Sequence, residues 1–131
     1  MLADDLAWVV ASDLGNIVPT EALAVTIRCA VLQQFALNLN LATELNDGER
    51  PENVMVAVTW QVAKMLDWLV RHQPAMASHS IGLIVGEAER ELKLSRRTSI
   101  RALRTALVMD GKLPDHAYDA FFDRAFPPGD E

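Results

Sequence analysis

Apolar residues recur at helical spacing in six segments of the chain, and no window shows the alternation typical of half-buried strands. The first segment, 3 to 14, carries acidic residues in its first turn. The second begins after the Thr20 hydroxyl, which suits an N-cap, and reaches the region 38 to 42. The hydrophilic stretch 44 to 52 contains the turn dipeptide Asp47-Gly48 and predicts a loop.

Four further helices are predicted beyond this loop. The third runs from Pro51 to about residue 71 and is expected to be long and central. Ser78 or Ser80 can cap the fourth, and Ser95 can cap the fifth after a junction of two or three residues. An aromatic pattern between Pro114 and Phe126 predicts a short sixth helix. We therefore expect one all-α domain of about six helices over residues 1–126, followed by a frayed tail at 127–131.

Composition indicates a soluble cytoplasmic protein. Half of the 131 residues are apolar and only six are glycine, which favours a packed globular body. The apolar runs are short and broken by polar residues, so no segment is expected to reach the roughly 20 residues that span a bilayer. Asp4 and Asp5 stand where an export signal would carry basic residues, and the single Cys29 cannot form an internal disulfide.

Positive charge is concentrated in one short segment of an acidic chain. The formal net charge is −6, yet seven of the twelve basic residues fall between Arg90 and Lys112. On a helical wheel Arg97, Arg101 and Arg104 lie within about 60° of one another, beside an apolar sector. One face of this helix can pack while the next presents guanidinium groups. Such a surface fits an anionic partner, either a phosphate backbone or an acidic protein surface.

The residues of this segment resemble a known DNA-binding motif. The run EAERELKLSRRTSIRAL at 87–103, followed by Leu107 and Gly111-Lys112-Leu113, resembles the helix-turn-helix of bacterial transcription regulators. The resemblance implies a unit at about 80–113, in which Ala88 lies at the helix crossing, Leu92 and Leu94 fill the core and Ser95 caps the recognition helix.

The resemblance also implies a DNA-contacting set on the recognition helix, 96–109, which would enter the major groove. The residues expected to face DNA are Ser95, Arg96, Arg97, Thr98 and Arg101, with Lys93 and Arg104 closer to the phosphates. The chain departs from the winged relatives of this motif because Leu113 leads into a helical pattern, so no wing is expected. The connection 73–79 is also longer than a compact three-helix unit needs.

A second interpretation of the basic helix has about equal weight on the residues alone. Its arginines could pair with Glu87, Glu89 and Glu91 and with the acidic C-terminal segment, as a solvated or protein-binding face. The protein would then be an adaptor or inhibitor that modulates a partner protein through its basic or acidic helix faces. If the protein is a DNA-binding regulator, the long apolar helices at 20–40 and 54–71 could support a homodimer, which would double the phosphate contacts and set the half-site spacing.

Other candidate chemistry is weak, and we predict neither an enzyme nor a cofactor. The histidines at 72, 79 and 116 do not form an i, i+4 pair and Cys29 is alone, so no metal site is proposed. No glycine-rich phosphate loop occurs. Capping explains the serines of Ser78-His79-Ser80 better than catalysis does, and the acidic ridge formed by Asp115, Asp119 and Asp123 is expected to be a solvated face.

Overall fold

The computed structural model describes residues 21–45, 48–110 and 113–127, and helices make up 87% of these residues. No strand occurs among them, which confirms the predicted all-α, single-domain bundle. The helix predicted at 3–14 and the tail beyond Pro127 lie outside the described residues. The helices are α1 (Glu21–Glu44), α2 (Pro51–Gln61), α3 (Ala63–His72), α4 (Pro74–Leu92), α5 (Arg96–Asp110) and α6 (Asp115–Ala125).

Helix α3 lies at the centre of the bundle. Seven of its ten residues are buried, including the whole run from Met65 to Val70. It contacts α1, α2, α4 and α5, because each of these helices turns an apolar stripe inward. Phe35 of α1, Ile81 of α4 and Leu103 of α5 are among the large side chains that pack around it.

The single long helix predicted from 51 to about 71 is wrong, because the structure breaks it at Val62. Val62 has backbone angles of −113° and 9°, and its N–H donates to the Thr59 carbonyl only three residues back, at 3.0 Å. The helix resumes at once, since the Leu66 N–H donates to the Val62 carbonyl at 3.0 Å. The apolar spacing continues through this break, so α2 and α3 read as one helix in the sequence.

The predicted cap of the fourth helix is also wrong. Helix α4 begins at Pro74, a residue suited to a first helical position because it has no N–H to satisfy. Ser78 and Ser80 lie inside the helix, where their hydroxyls donate to the carbonyls of Ala75 at 3.0 Å and Met76 at 2.8 Å. Only Gln73 separates α3 from α4, so the long 73–79 connection does not exist and the two helices form a tight pair.

A buried polar cluster joins α6 to α3. The Tyr118 hydroxyl donates a hydrogen bond to Asp67, whose other carboxylate oxygen accepts from Arg71 Nε at 2.9 Å. Tyr118 is fully buried and Asp67 is 2% exposed. Burial, together with the hydrogen bond to Asp67, raises the pKa of Tyr118 above its ordinary value. The phenol therefore stays neutral and keeps donating to the carboxylate.

Helix α1 is apolar around most of its circumference. By length and composition it could cross a membrane, although only 28% of its most hydrophobic window is buried in the bundle. The expectation that no segment is long enough to span a bilayer therefore overlooked α1, since its polar residues from Cys29 to Thr43, such as Gln33 and Asn40, are uncharged. The core helix of a soluble protein passes the same test, so the finding is weak evidence for a membrane. A cytoplasmic location stays a prediction.

Candidate nucleic-acid interface

Helices α4 and α5 are joined by a turn of three residues, 93–95, as the sequence predicted. Lys93 ends α4 in the left-handed conformation, with a φ of 58° and a ψ of 32°. Helices commonly end this way, usually with glycine. Ala88 is fully buried before the turn, and Leu92 and Leu94 pack against the core as partly buried side chains. The local chain thus forms two helices with a short, defined turn, while its membership of the helix-turn-helix class stays a prediction.

Ser95 caps α5, which confirms the predicted N-cap. Its Oγ accepts a hydrogen bond from the Thr98 backbone N–H at 3.1 Å and donates to Thr98 Oγ1 at 2.9 Å. Its carbonyl accepts from the Ser99 hydroxyl at 2.9 Å. The Ser95 and Thr98 hydroxyls therefore hold the start of the helix in place, so that less of their hydrogen-bonding capacity is left for a ligand.

The buried side of α5 packs against the bundle, and this packing sets the direction in which the exposed side of the helix points. Ser99, Leu103 and Leu107 are buried, and α5 packs mainly against α2, with further contacts to α3 and α4. At the far end Lys64 Nζ lies 3.2 Å from Asp110 Oδ1 and links the end of α5 to α3. With both the apolar stripe and the C-terminal turn anchored, the orientation of the outer face is set by the core.

The three cations that remain free define the central part of the candidate interface. Arg97 and Arg101 are exposed on α5, one turn apart, and Lys93 is exposed at the start of the turn. None of the three forms an ion pair or hydrogen bond through its side chain with any residue that the structure describes. We call Lys93, Arg97 and Arg101 the open basic face. No acidic residue lies on the outer side of α5 between Arg97 and Thr105.

The other two arginines of the predicted set are held by the C-terminal part of the chain. The guanidinium of Arg96 lies 5.7 Å from the centre of the Phe126 ring, a cation–π contact. Arg104 forms an ion pair with Asp119 of α6, and both side chains are partly exposed. Arg104 is therefore shielded by a carboxylate of its own protein. The sequence alternative that placed acidic C-terminal residues on the arginines is correct for this one residue.

The glutamates at the end of α4 do not neutralise the open basic face. Glu87 pairs with Arg90 in its own helix. Glu89 lines a small surface cleft of about 440 Å³ with Arg96 and Arg97 but forms no ion pair with a residue that the structure describes. From residue 87 to 104 the chain holds six basic residues against three acidic ones, so the local charge is positive although the whole chain is acidic.

Sequence reasoning offered the acidic C-terminal segment as a partner of the arginines but did not identify which of its residues contact the basic helix. Asp119 had been assigned to a solvated acidic ridge because its i, i+4 neighbours on α6 are also aspartates. Phe126 was treated as an ordinary apolar position. Nothing local in either segment signals a contact across the bundle, because the partners of α6, such as Asp67 for Tyr118 and Arg104 for Asp119, are distant in sequence.

Groups suited to metal binding are not assembled in this part of the molecule. No cluster of three or more His, Cys, Asp or Glu side chains that could hold a metal ion occurs within residues 21–45, 48–110 and 113–127. The chain matches no protein-family model, and comparisons with curated proteins and solved structures gave no significant match. Function is therefore proposed from the residues of this chain alone.

Proposed function

We propose that the protein is a small DNA-binding regulator that places α5 against duplex DNA and acts by occupying a site. The observation that carries the proposal is the open basic face, in which Arg97 and Arg101 are exposed on a firmly anchored helix without a carboxylate partner among the described residues. Phosphates can neutralise these groups, and arginine can pair bidentately with the major-groove edge of guanine. The turn and its Ser95 cap support the same geometry.

The predicted contact residues take different roles in this proposal. Arg97 and Arg101 are the main candidates for base or phosphate contacts because both are free, and Lys93 is a phosphate contact beside them. Arg96 can contact DNA only if its guanidinium moves away from the Phe126 ring or binds the ring and DNA together. Arg104 is the weakest member, since Asp119 already satisfies part of its charge. Ser95 and Thr98 mainly position the helix, and the partly exposed Thr98 can still meet a phosphate.

Fluorescence anisotropy with labelled duplex DNA tests this function at low salt. The proposal expects measurable affinity for the parent protein and a loss of roughly tenfold or more in the Arg97→Ala/Arg101→Ala variant, since each removed contact contributes about 1 kcal/mol or more. The charge-matched control is Arg50→Ala/Arg124→Ala, which removes two exposed arginines from elsewhere on the surface. No binding by the parent protein, or equal losses in both double variants, would reject the proposal.

A second candidate function is a protein-binding adaptor, and Met109 favours it. This side chain is 65% exposed on the outer side of α5, two turns beyond Arg101. Methionine and arginine are both enriched in protein interfaces, whereas an apolar thioether adds little to a phosphate contact. If a protein is the partner, Met109→Ala should weaken its binding as much as Arg101→Ala does. If DNA is the partner, Met109→Ala should leave the affinity nearly unchanged.

A further inference from the structure

A groove of about 970 Å³ lies between the α3–α4 junction and one side of α6. Its apolar walls come from Val70 at the end of α3, Leu113 before α6 and Phe121 on α6. Alanines from α4 and α6 leave space between these larger side chains. The volume falls in the range of small-molecule sites, which are concave and mostly apolar with a few polar groups that fix orientation.

Among the residues that the structure describes, two arginines and no carboxylate line the groove. Arg71 donates to Asp67 through its Nε at 2.9 Å, which leaves its two Nη groups for another acceptor. Arg124 lies on α6, is exposed, and forms no ion pair with a described residue. Asp67 is buried beneath the groove, where both of its oxygens are already occupied by Arg71 and Tyr118.

The balance of charge and apolar surface selects a class of ligand. An inorganic anion would meet the arginines but would leave the apolar walls in water, and a neutral hydrocarbon would leave the guanidinium groups unpaired. A molecule with one carboxylate and an apolar body satisfies both, because arginine and carboxylate can form paired charge-assisted hydrogen bonds. Ser78 also lines the groove, and because its hydroxyl donates to the Ala75 carbonyl, its oxygen is left to accept a hydrogen bond from a polar substituent.

We propose that this groove is a binding site for a small organic carboxylate with an apolar body, oriented by Arg71 and Arg124. The site lies on α3, α4 and α6, while the open basic face lies on the turn and α5. The proposal therefore stands whether or not the protein binds DNA. Its polar end is built on a buried network, since Asp67 and Tyr118 hold the Arg71 side chain in place from below.

Nuclear magnetic resonance with isotope-labelled alanine methyl groups tests the site directly. Ala75, Ala117, Ala120 and Ala125 all line the groove, whereas Ala57 is exposed on α2 and serves as an internal control. The probe is phenylbutyrate, and its neutral amide is the matched comparison, because the two share one apolar body. We expect saturable shifts of the groove methyls with phenylbutyrate, at least about tenfold weaker binding of the amide, and no shift at Ala57.

Substitutions of residues that line the groove test where the carboxylate of the ligand binds. Arg124→Gln should weaken phenylbutyrate binding about tenfold and should leave the fold intact, since the side chain is exposed. Arg50→Gln is the charge-matched control outside the groove and should change nothing. Ala120→Trp should fill the groove and abolish the shifts. No saturable binding, equal binding of acid and amide, or equal effects of Arg124→Gln and Arg50→Gln would overturn the proposal.

Discussion

The carboxylate of Asp67 accepts hydrogen bonds from Arg71 Nε and from the Tyr118 hydroxyl inside the core. A buried ionised group is tolerated only when such partners replace the water it has lost. The two donors come from different elements, one from α3 itself and one from α6, which is 51 residues farther along the chain. At the scale of single residues this link joins α6 to the central helix α3.

Removal of the Tyr118 hydroxyl should lower the free energy of unfolding. Tyr118→Phe keeps the ring in the core but leaves one oxygen of the buried Asp67 carboxylate without its donor, so we expect a loss of about 1–3 kcal/mol in the free energy of unfolding. Urea denaturation measures this loss. Thr105→Val is the control, since Thr105 is exposed and its hydroxyl bonds only within its own helix, to the Arg101 carbonyl. A loss no larger than that of the control would contradict the proposed role of the cluster.

The same cluster predicts how stability responds to alkali. The folded protein holds the Tyr118 proton more tightly than the unfolded chain, because the pKa of this phenol is raised above 10.0 by burial and by Asp67. As the pH rises past 10.0 the unfolded chain loses this proton first, so the stability contributed by the raised pKa is present below that pH and is lost above it. Tyr118→Phe should show a shallower alkaline loss. Equal slopes in parent and variant, measured by urea unfolding from about pH 8 to about pH 11, would contradict this assignment.

At the scale of elements, one residue of the turn between α4 and α5, Lys93, has both a conformational role and a proposed binding role. Lys93 adopts a left-handed backbone conformation that is unfavourable for residues with a Cβ, and it also belongs to the open basic face. Lys93 at this position lowers the stability of the fold relative to glycine but adds a positive charge to the open basic face. The turn is therefore a place where backbone strain and function can be measured separately.

Substitution of Lys93 by glycine separates the effect of its backbone conformation on stability from the effect of its charge on DNA binding. We expect Lys93→Gly to raise the free energy of unfolding by up to about 1 kcal/mol, because glycine adopts this conformation without steric cost. The same variant should bind DNA more weakly, since one phosphate contact is lost. Chemical denaturation and anisotropy measure the two effects. Lower stability together with unchanged affinity would contradict both assignments.

The sequence predicts some elements well and others poorly, for local physical reasons. Helices α1, α5 and α6 follow from apolar spacing and from strong signals such as Ser95 and Pro114, which act within one turn of the chain. The break at Val62 could not be predicted because the apolar spacing passes through it unchanged. The start of α4 at Pro74 was missed because Ser78 and Ser80 also suit an N-cap, although proline suits a first helical position. In the candidate site the exposure of Arg97 followed from its wheel position, whereas the pairing of Arg104 depends on contacts across the bundle.

At the scale of the whole molecule, α1 presents a neutral apolar surface. Leu37 and Leu41 on α1 and Leu45 in the turn that follows it lie four residues apart and are 54%, 47% and 77% exposed. No charged residue occurs from Cys29 to Thr43, so two copies of this surface could approach without repulsion even though each chain carries a net charge of −6. The homodimer expected from the sequence stays a prediction, and this surface is where we propose that two copies would meet.

A single charge should test that dimer. Leu41→Glu introduces a carboxylate into the centre of this surface and should yield a monomer with little change in stability, because the side chain already contacts water. Val25→Glu is the matched control, since Val25 is also exposed but lies on the opposite flank of α1. Size-exclusion chromatography with light scattering reports the mass. A monomeric parent protein, or dimers in both variants, would contradict dimerisation through this surface.

The salt dependence of duplex DNA binding tests the central claim most directly, because it counts the phosphates that the open basic face neutralises. For Lys93, Arg97 and Arg101, the logarithm of the affinity should fall against the logarithm of salt concentration with a slope near −3 per protomer, by about 0.9 for each contact. Arg97→Ala/Arg101→Ala should reduce that slope by about two, while Arg50→Ala/Arg124→Ala should leave it unchanged. A parent protein that fails to bind at low salt, or whose slope is the same in both double variants, would contradict the account.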